Sequence, residues 1–321
     1  MKRSVVVLLI LLAFSLALVA CGGQTQEPAA PAEDTGTVEE PAATEAPAAE
    51  ETAGEEVTAD GLLADIFERG VIRVSTDANY EPQSFLDENG EFVGFDIDVA
   101  REIAKRLGVE VEFVTPDWDV ITAGNWGGQW DMSVGSMTVT TGRQEVLDFA
   151  TPAYYYTPAQ FAAADGSGIE TLEDINGQAV CAGVSTTYET WLNGNAAELG
   201  FPAESFYAEP PTDVTVVPLA TDAECPQSIQ AGREEFQVFL SSNTVVQAAI
   251  DGGVAIHRVG SPVFSENLAA AFDKSGELDN TSAVQRVGEI IQEMHDDSTL
   301  RELSMKWFGT DLTADPSGSS D

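Results

Sequence analysis

Positive charge is scarce in this chain. Of 321 residues, 14 are Lys or Arg against 54 Asp or Glu, a net charge of -40. Lysine occurs only at Lys2, Lys105, Lys274 and Lys306. Such a surface repels polyanions, which excludes nucleic acid and anionic membrane surfaces as partners. It fits a solvated exported protein or a salt-adapted source. Histidine is nearly absent. His257 and His295 lie far apart and near no cysteine pair, so there is no metal-site spacing and no cofactor is expected. Cysteine is limited to Cys21, Cys181 and Cys225. After residue 20 no apolar run is long enough to cross a bilayer as a helix.

What is present begins at the N-terminus. Lys2 and Arg3 precede the apolar run 5–20, and Leu18-Val19-Ala20-Cys21 closes it. A basic start, an apolar centre and small residues before a cleavage point describe an export signal over residues 1–21. The placement of Cys21 resembles a bacterial lipobox, which implies lipidation there. A plain signal peptide with an incidental cysteine, or an uncleaved anchor, is the alternative. Residues 22–60 are mostly Ala, Pro, Glu, Thr and Gly, without an aromatic or a basic side chain. They cannot bury enough apolar area to offset ordering, so a disordered spacer is expected. As a flexible coil it would reach on the order of 35 Å.

The stretch Gly135-Ser136-Met137-Thr138-Val139-Thr140-Thr141-Gly142-Arg143 organises the rest. It follows Trp130-Asp131-Met132-Ser133-Val134, which reads as a short strand. Small and hydroxyl residues leave backbone N–H groups free, and the guanidinium can grip a carboxylate through two parallel bonds. The stretch therefore reads as a small-anion site, or more plainly as a strand-to-helix turn with a surface Arg.

A second stretch narrows the reading. Residues 94–108, Gly-Phe-Asp-Ile-Asp onward, form a helix that Asp96 or Asp98 can cap and Gly108 can close. Phe95, Val99, Ile103 and Leu107 recur every four residues on one face. The alternating segment 109–114 predicts a half-buried strand, and strands alternate with helices through the chain, implying an α/β protein with sites at strand C-terminal ends. Gly94-Phe95-Asp96-Ile97-Asp98 with its helix resembles the signature of bacterial extracellular solute-binding proteins of family 3, the amino-acid receptors of ABC importers. The resemblance runs in order from about Ile72 to Phe308 and includes the ending Lys306-Trp307-Phe308-Gly309.

That resemblance implies a two-lobed α/β periplasmic-binding-protein-like (type II) fold with two crossover hinge strands. The first lobe would hold 61–156 and 265–309, the second 157–264, with 310–321 a frayed tail. Arg143 would clamp a ligand carboxylate, helped by Ser136, Thr138 and the Thr186–Thr187 turn, where Ser185 stands in place of the family's usual Gly. Tyr80 and Trp118 match aromatic walls, or are core or rim residues. Asp77 matches an acid facing the ligand side chain, or caps its own turn. With Asp119 they suit a polar or cationic side chain. The family usually holds the ligand ammonium with an Asp that aligns with Ser241. A hydroxyl there cannot neutralise a cation, so another acid substitutes or the ligand is not a standard α-amino acid. Cys181 and Cys225 are expected to pair in an oxidising compartment, the alternative being two buried thiols.

The expected protein is thus a monomeric, lipid-anchored extracytoplasmic receptor that captures, by hinge closure, a small carboxylate-bearing polar solute, an amino acid foremost. Its partners would be an ABC permease and ATPase. Two rival readings stand beside it. One is a cyclohexadienyl-type dehydratase on this fold, for which no dedicated acid–base constellation is visible. The other is a sensor module.

Overall fold

The computed structural model describes residues 58–316. The expected export signal, Cys21 and nearly all of the spacer lie outside the described residues. Among the described residues no helix is long and apolar enough to cross a membrane. No group of His, Cys, Asp and Glu among them could hold a metal ion.

Two five-stranded sheets organise the chain. In the first, Val71–Ser75 runs parallel to Glu110–Val114 on one side and to Met132–Ser133 on the other. Ala271–Asp273 then pairs antiparallel with Met132–Ser133 and Leu147–Phe149. In the second, Thr215–Leu219, Ala179–Gly183 and Val238–Ser242 are parallel neighbours. The long strands Tyr155–Ala164 and Ile256–Leu268 complete it antiparallel. These two strands are also the crossings between the sheets, and they pair with each other from Leu268 and Tyr155 to Ile256 and Ala164. The result is the two-lobed fold with two crossover strands.

The helix Phe95–Leu107 shows how sequence pattern becomes packing. Phe95, Val99, Ile103 and Leu107 are all buried against the first sheet. Burial of such side chains stabilises by roughly 1.5–3 kcal/mol apiece. Gly108 closes the helix in the left-handed region at φ 77°. Its start differs from the expected cap. The chain enters through Gly94 at φ 133°, so Asp96 and Asp98 fall inside the first turn and neither side chain caps it. Asp96 instead turns into the core, and Asp98 takes Lys306 Nζ at 2.6 Å and Trp307 Nε1 at 2.8 Å.

Cys181 and Cys225 form a disulfide with Cα atoms 5.9 Å apart. It ties Ala179–Gly183 to the helix Glu224–Gln230, inside a cluster with Ala162, Phe236, Phe239, Val246 and Ile256. The tail also departs from expectation. Leu312 is tied down: it packs on the first core, its carbonyl accepts from Tyr156 N at 2.7 Å, and its N–H donates to Ser304 Oγ at 2.9 Å. The polar composition concealed this apolar anchor.

Candidate functional site

Each lobe presents the C-terminal ends of its parallel strands to a cavity between them. The lining comprises Asp77, Tyr80, Trp118, Gly135, Ser136, Thr138 and Arg143 from the first lobe, with Thr186, Thr187, Tyr188, Ala220, Thr221 and Asp222 from the second and Glu266 from a crossing strand. The cavity volume open to the centre of a water-sized sphere is about 50 Å³. Contacts between the lobes close it over. Gln83 Nε2 donates to Thr244 Oγ1 at 2.6 Å, Gln227 Nε2 to Asn79 Oδ1 at 3.1 Å, and an Arg143 guanidinium N–H to the Ser185 carbonyl at 3.0 Å.

Arg143 sits in the first turn of the short helix Thr141–Val146, whose start Thr140 caps by accepting from Arg143 N. Its guanidinium also donates to the Thr138 carbonyl at 2.9 Å and lies 5.3 Å from the centre of the Trp118 ring. Burial lowers its pKa to about 10, against the opposing pull of Glu266. Trp118 Nε1 is buried without a hydrogen-bond partner. Trp118 follows Asp117 at the start of the helix Trp118–Thr122, which aims it at the cavity.

The hydroxyls of Ser136 and Thr138 in the organising stretch are already engaged. Ser136, at φ 56°, donates from Oγ to Asp96 Oδ2 at 2.7 Å and accepts from the Tyr155 hydroxyl at 2.7 Å. Tyr154 donates to Asp96 Oδ1 at 3.0 Å. Burial nonetheless raises Asp96 to about 7, only partly offset by the Ser136 and Tyr154 hydroxyls. Thr138 Oγ1 donates to Glu266 Oε1 at 2.8 Å, and Thr187 Oγ1 donates to the same oxygen. Thr186 caps the helix Thr187–Leu192 by accepting from Glu189 N. Ser185 holds φ 57°, a left-handed conformation that glycine adopts without steric cost.

Asp77 lies half-buried and accepts from Asn79 N at 2.6 Å, so it caps its own turn while lining the cavity. Burial raises its pKa. Asp119 does not join them: it is exposed and accepts from Val120 N in its own helix. Ser241 is fully buried and stands behind the lining, donating to Asp222 Oδ2. The cavity therefore has an acid beside position 241, carried by a different strand end. Asp222 is held at about 7 by burial, against the pull of the Ser241 hydroxyl. Glu266 is also buried, and burial raises its pKa against the Thr187, Tyr188 and Thr138 hydroxyls and Arg143.

Sequence reasoning missed both acids. Asp222 follows Thr215–Leu219 in a segment that reads as a surface turn, and Glu266 lies within a polar stretch of strand. The available signal was position: Asp222 sits just past a parallel strand end, as do Thr186 and Ser185.

A two-lobed α/β frame, a cavity at the strand ends and an arginine facing hydroxyl turns form one architecture. The model of the bacterial extracellular solute-binding proteins, family 3, matches residues 72–310. The chain belongs to that family. Among similar proteins, the L-cystine-binding protein TcyJ of Escherichia coli (strain K12) is 29% identical over 258 residues, covering 79% of this chain and 88% of that protein. The structure of an ancestral arginine-binding protein bound to glutamine is 30% identical, with TM-score 0.63, covering 75% of this family 3 chain and 99% of the other. The ancestral amino acid-binding protein AncCDT-1, a precursor of cyclohexadienyl dehydratase, is 29% identical with TM-score 0.62, covering 76% and 98%.

Proposed function

We propose that this solute-binding protein captures an amino acid outside the cell for an ABC importer, with Arg143 as the carboxylate clamp. The observation that carries this is the charge layout of one cavity. A buried guanidinium lies in the same lining as Asp77, Asp222 and Glu266, so the site offers opposite charges to a zwitterion. The amino-acid-binding relatives support the class of solute. Trp118 and Tyr80 wall the ligand, and Asp77 faces a polar or cationic side chain, which ranks arginine, lysine, histidine and glutamine above glutamate or leucine. Cystine, the solute in the name of one relative, belongs in the same comparison. Binding free energy from both lobes favours the closed form, which the permease reads.

The lobes divide at 61–156, 157–264 and 265–309 in this reading. Lipidated Cys21 anchors the protein by the 22–60 spacer, and the receptor acts as a monomer. It is not an enzyme. Asp222 and Glu266 are titratable acids within the cavity, and they serve ligand charge in place of proton transfer. Turnover of prephenate by the purified protein would contradict that assignment. The testing experiment is Arg143→Ala. It removes a charge-assisted two-pronged contact worth roughly 2–5 kcal/mol, so calorimetry should read an affinity loss of about 30-fold or more. An unchanged affinity would remove Arg143 from the site.

A further inference from the structure

We propose that Asp222 and Glu266 together receive the ligand's ammonium group, with Ser241 serving only to hold Asp222. The inference rests on the amino-acid reading above and assigns it a cation site. Its first support is the orphaned oxygen of Glu266. Oε1 is held from both lobes, by Thr138 and Thr187. Oε2 is buried in the cavity lining with no hydrogen-bond partner, even though the Tyr188 hydroxyl lies close enough to ease the charge on the group. An acceptor of this kind, desolvated and unpaired, favours a ligand donor. Thr221 Oγ1, next to Asp222 in the same lining, is a second buried oxygen without a partner. An ammonium group brings three donors. Asp222, Glu266 and Thr221 supply three acceptors, two of them charged.

The second support is how Asp222 is presented. Cys225, three residues on, is tied to Cys181, and Cys181 pairs in the sheet with Phe239. Ser241 lies two residues further along that same strand, and its hydroxyl donates to Asp222 Oδ2. The disulfide and the hydroxyl fix the carboxylate from two sides. A serine at 241 is thus the hydrogen-bond donor that an acid at 222 requires.

The acids are faced by further charged and titratable groups. Asp77 and Glu266 both act on Asp222, as do the hydroxyls of Tyr80 and Tyr188, while Arg143 acts on Glu266. Burial holds Asp222 near 7 and raises Glu266 and Asp77. A bound ammonium favours the ionised acids, so binding releases protons near neutrality. Affinity is therefore full above about pH 7 and weakens as the pH falls through it.

The test is a thermal-shift panel on the wild type, Asp222→Asn and Glu266→Gln. The probes are the twenty standard L-amino acids with ornithine and cystine, and the matching carboxylates that lack the α-amino group. At least one amino acid should stabilise the wild type, more at pH 8 than at pH 6, and its des-amino counterpart should not. Each variant should lose that response, an affinity loss of about 30-fold or more. Equal stabilisation of the variants, or equal stabilisation of the wild type by the des-amino compound, overturns the proposal and leaves the receptor reading standing. No response of the wild type to any amino acid overturns both. The swap Asp222→Ser with Ser241→Asp controls for folding. It moves the acid to the end of Val238–Ser242, across the same hydrogen bond, and should regain part of the response. A swap that folds yet responds no better than Asp222→Asn counts against the shared site.

Discussion

Replacing Cys181 and Cys225 together by alanine tests the packing of the second lobe and the presentation of its acid at once. The bridge closes a loop across 44 residues. Chain-entropy reasoning assigns such a loop about 13 cal/mol/K, or ~4 kcal/mol near room temperature. Both residues are fully buried among Ala162, Phe236, Phe239 and Val246, so removing two sulfurs from a packed cluster adds to the loss. For a chain of this size each kcal/mol shifts the melting temperature by about 2–4 °C, so a drop on the order of 10 °C is expected. Scanning calorimetry of the double variant measures it. Ligand affinity should fall as well, because Asp222 loses one of its two supports. A drop under about 2 °C, on a scale where each kcal/mol moves the midpoint that far, would refute the reasoning.

Three further perturbations test the lobe contact, the first lobe's buried ion pairs and the expected anchor. Gln83→Ala removes the bond to Thr244 that joins the lobes at 2.6 Å; a loss of about 1 kcal/mol should weaken ligand binding roughly fivefold by calorimetry. Asp131→Ala strips a buried carboxylate from Arg69 and Arg73, held at 2.8 and 2.7 Å; chemical denaturation should show a loss of about 3 kcal/mol, with ligand affinity unchanged. Cys21→Ala should move the protein from the membrane fraction to the medium or periplasm, and unchanged retention on fractionation would count against the lipid anchor.

The first lobe was legible because its signals were local. Phe95, Val99, Ile103 and Leu107 marked a helical face, and the alternation from Glu110 to Val114 marked a strand whose register the sheet then fixed. Arg143, Thr138, Thr186 and Thr187 were legible by type and by order along the chain, and the fold brings them to one cavity. What escaped was set by tertiary structure. Asp96 looks like a helix cap until Gly94 takes that place and the carboxylate turns to Ser136 and Tyr154. Glu266 meets Thr138 and Thr187 only when both lobes are assembled around the crossing strand. Ser241 marked a missing charge, but its neighbour Asp222 arrives from 19 residues away, from just past the end of Thr215–Leu219, which Ala179–Gly183 separates from Val238–Ser242 in the sheet.

The central claim is that this cavity holds an amino acid by its carboxylate and its ammonium group. It is tested most directly by melting the purified protein with amino acids, related carboxylates and neutral sugars, since a ligand that binds only the folded state raises the melting temperature. The account predicts protection by at least one amino acid, with those bearing polar or cationic side chains foremost. Protection by a neutral sugar and by no carboxylate would contradict it.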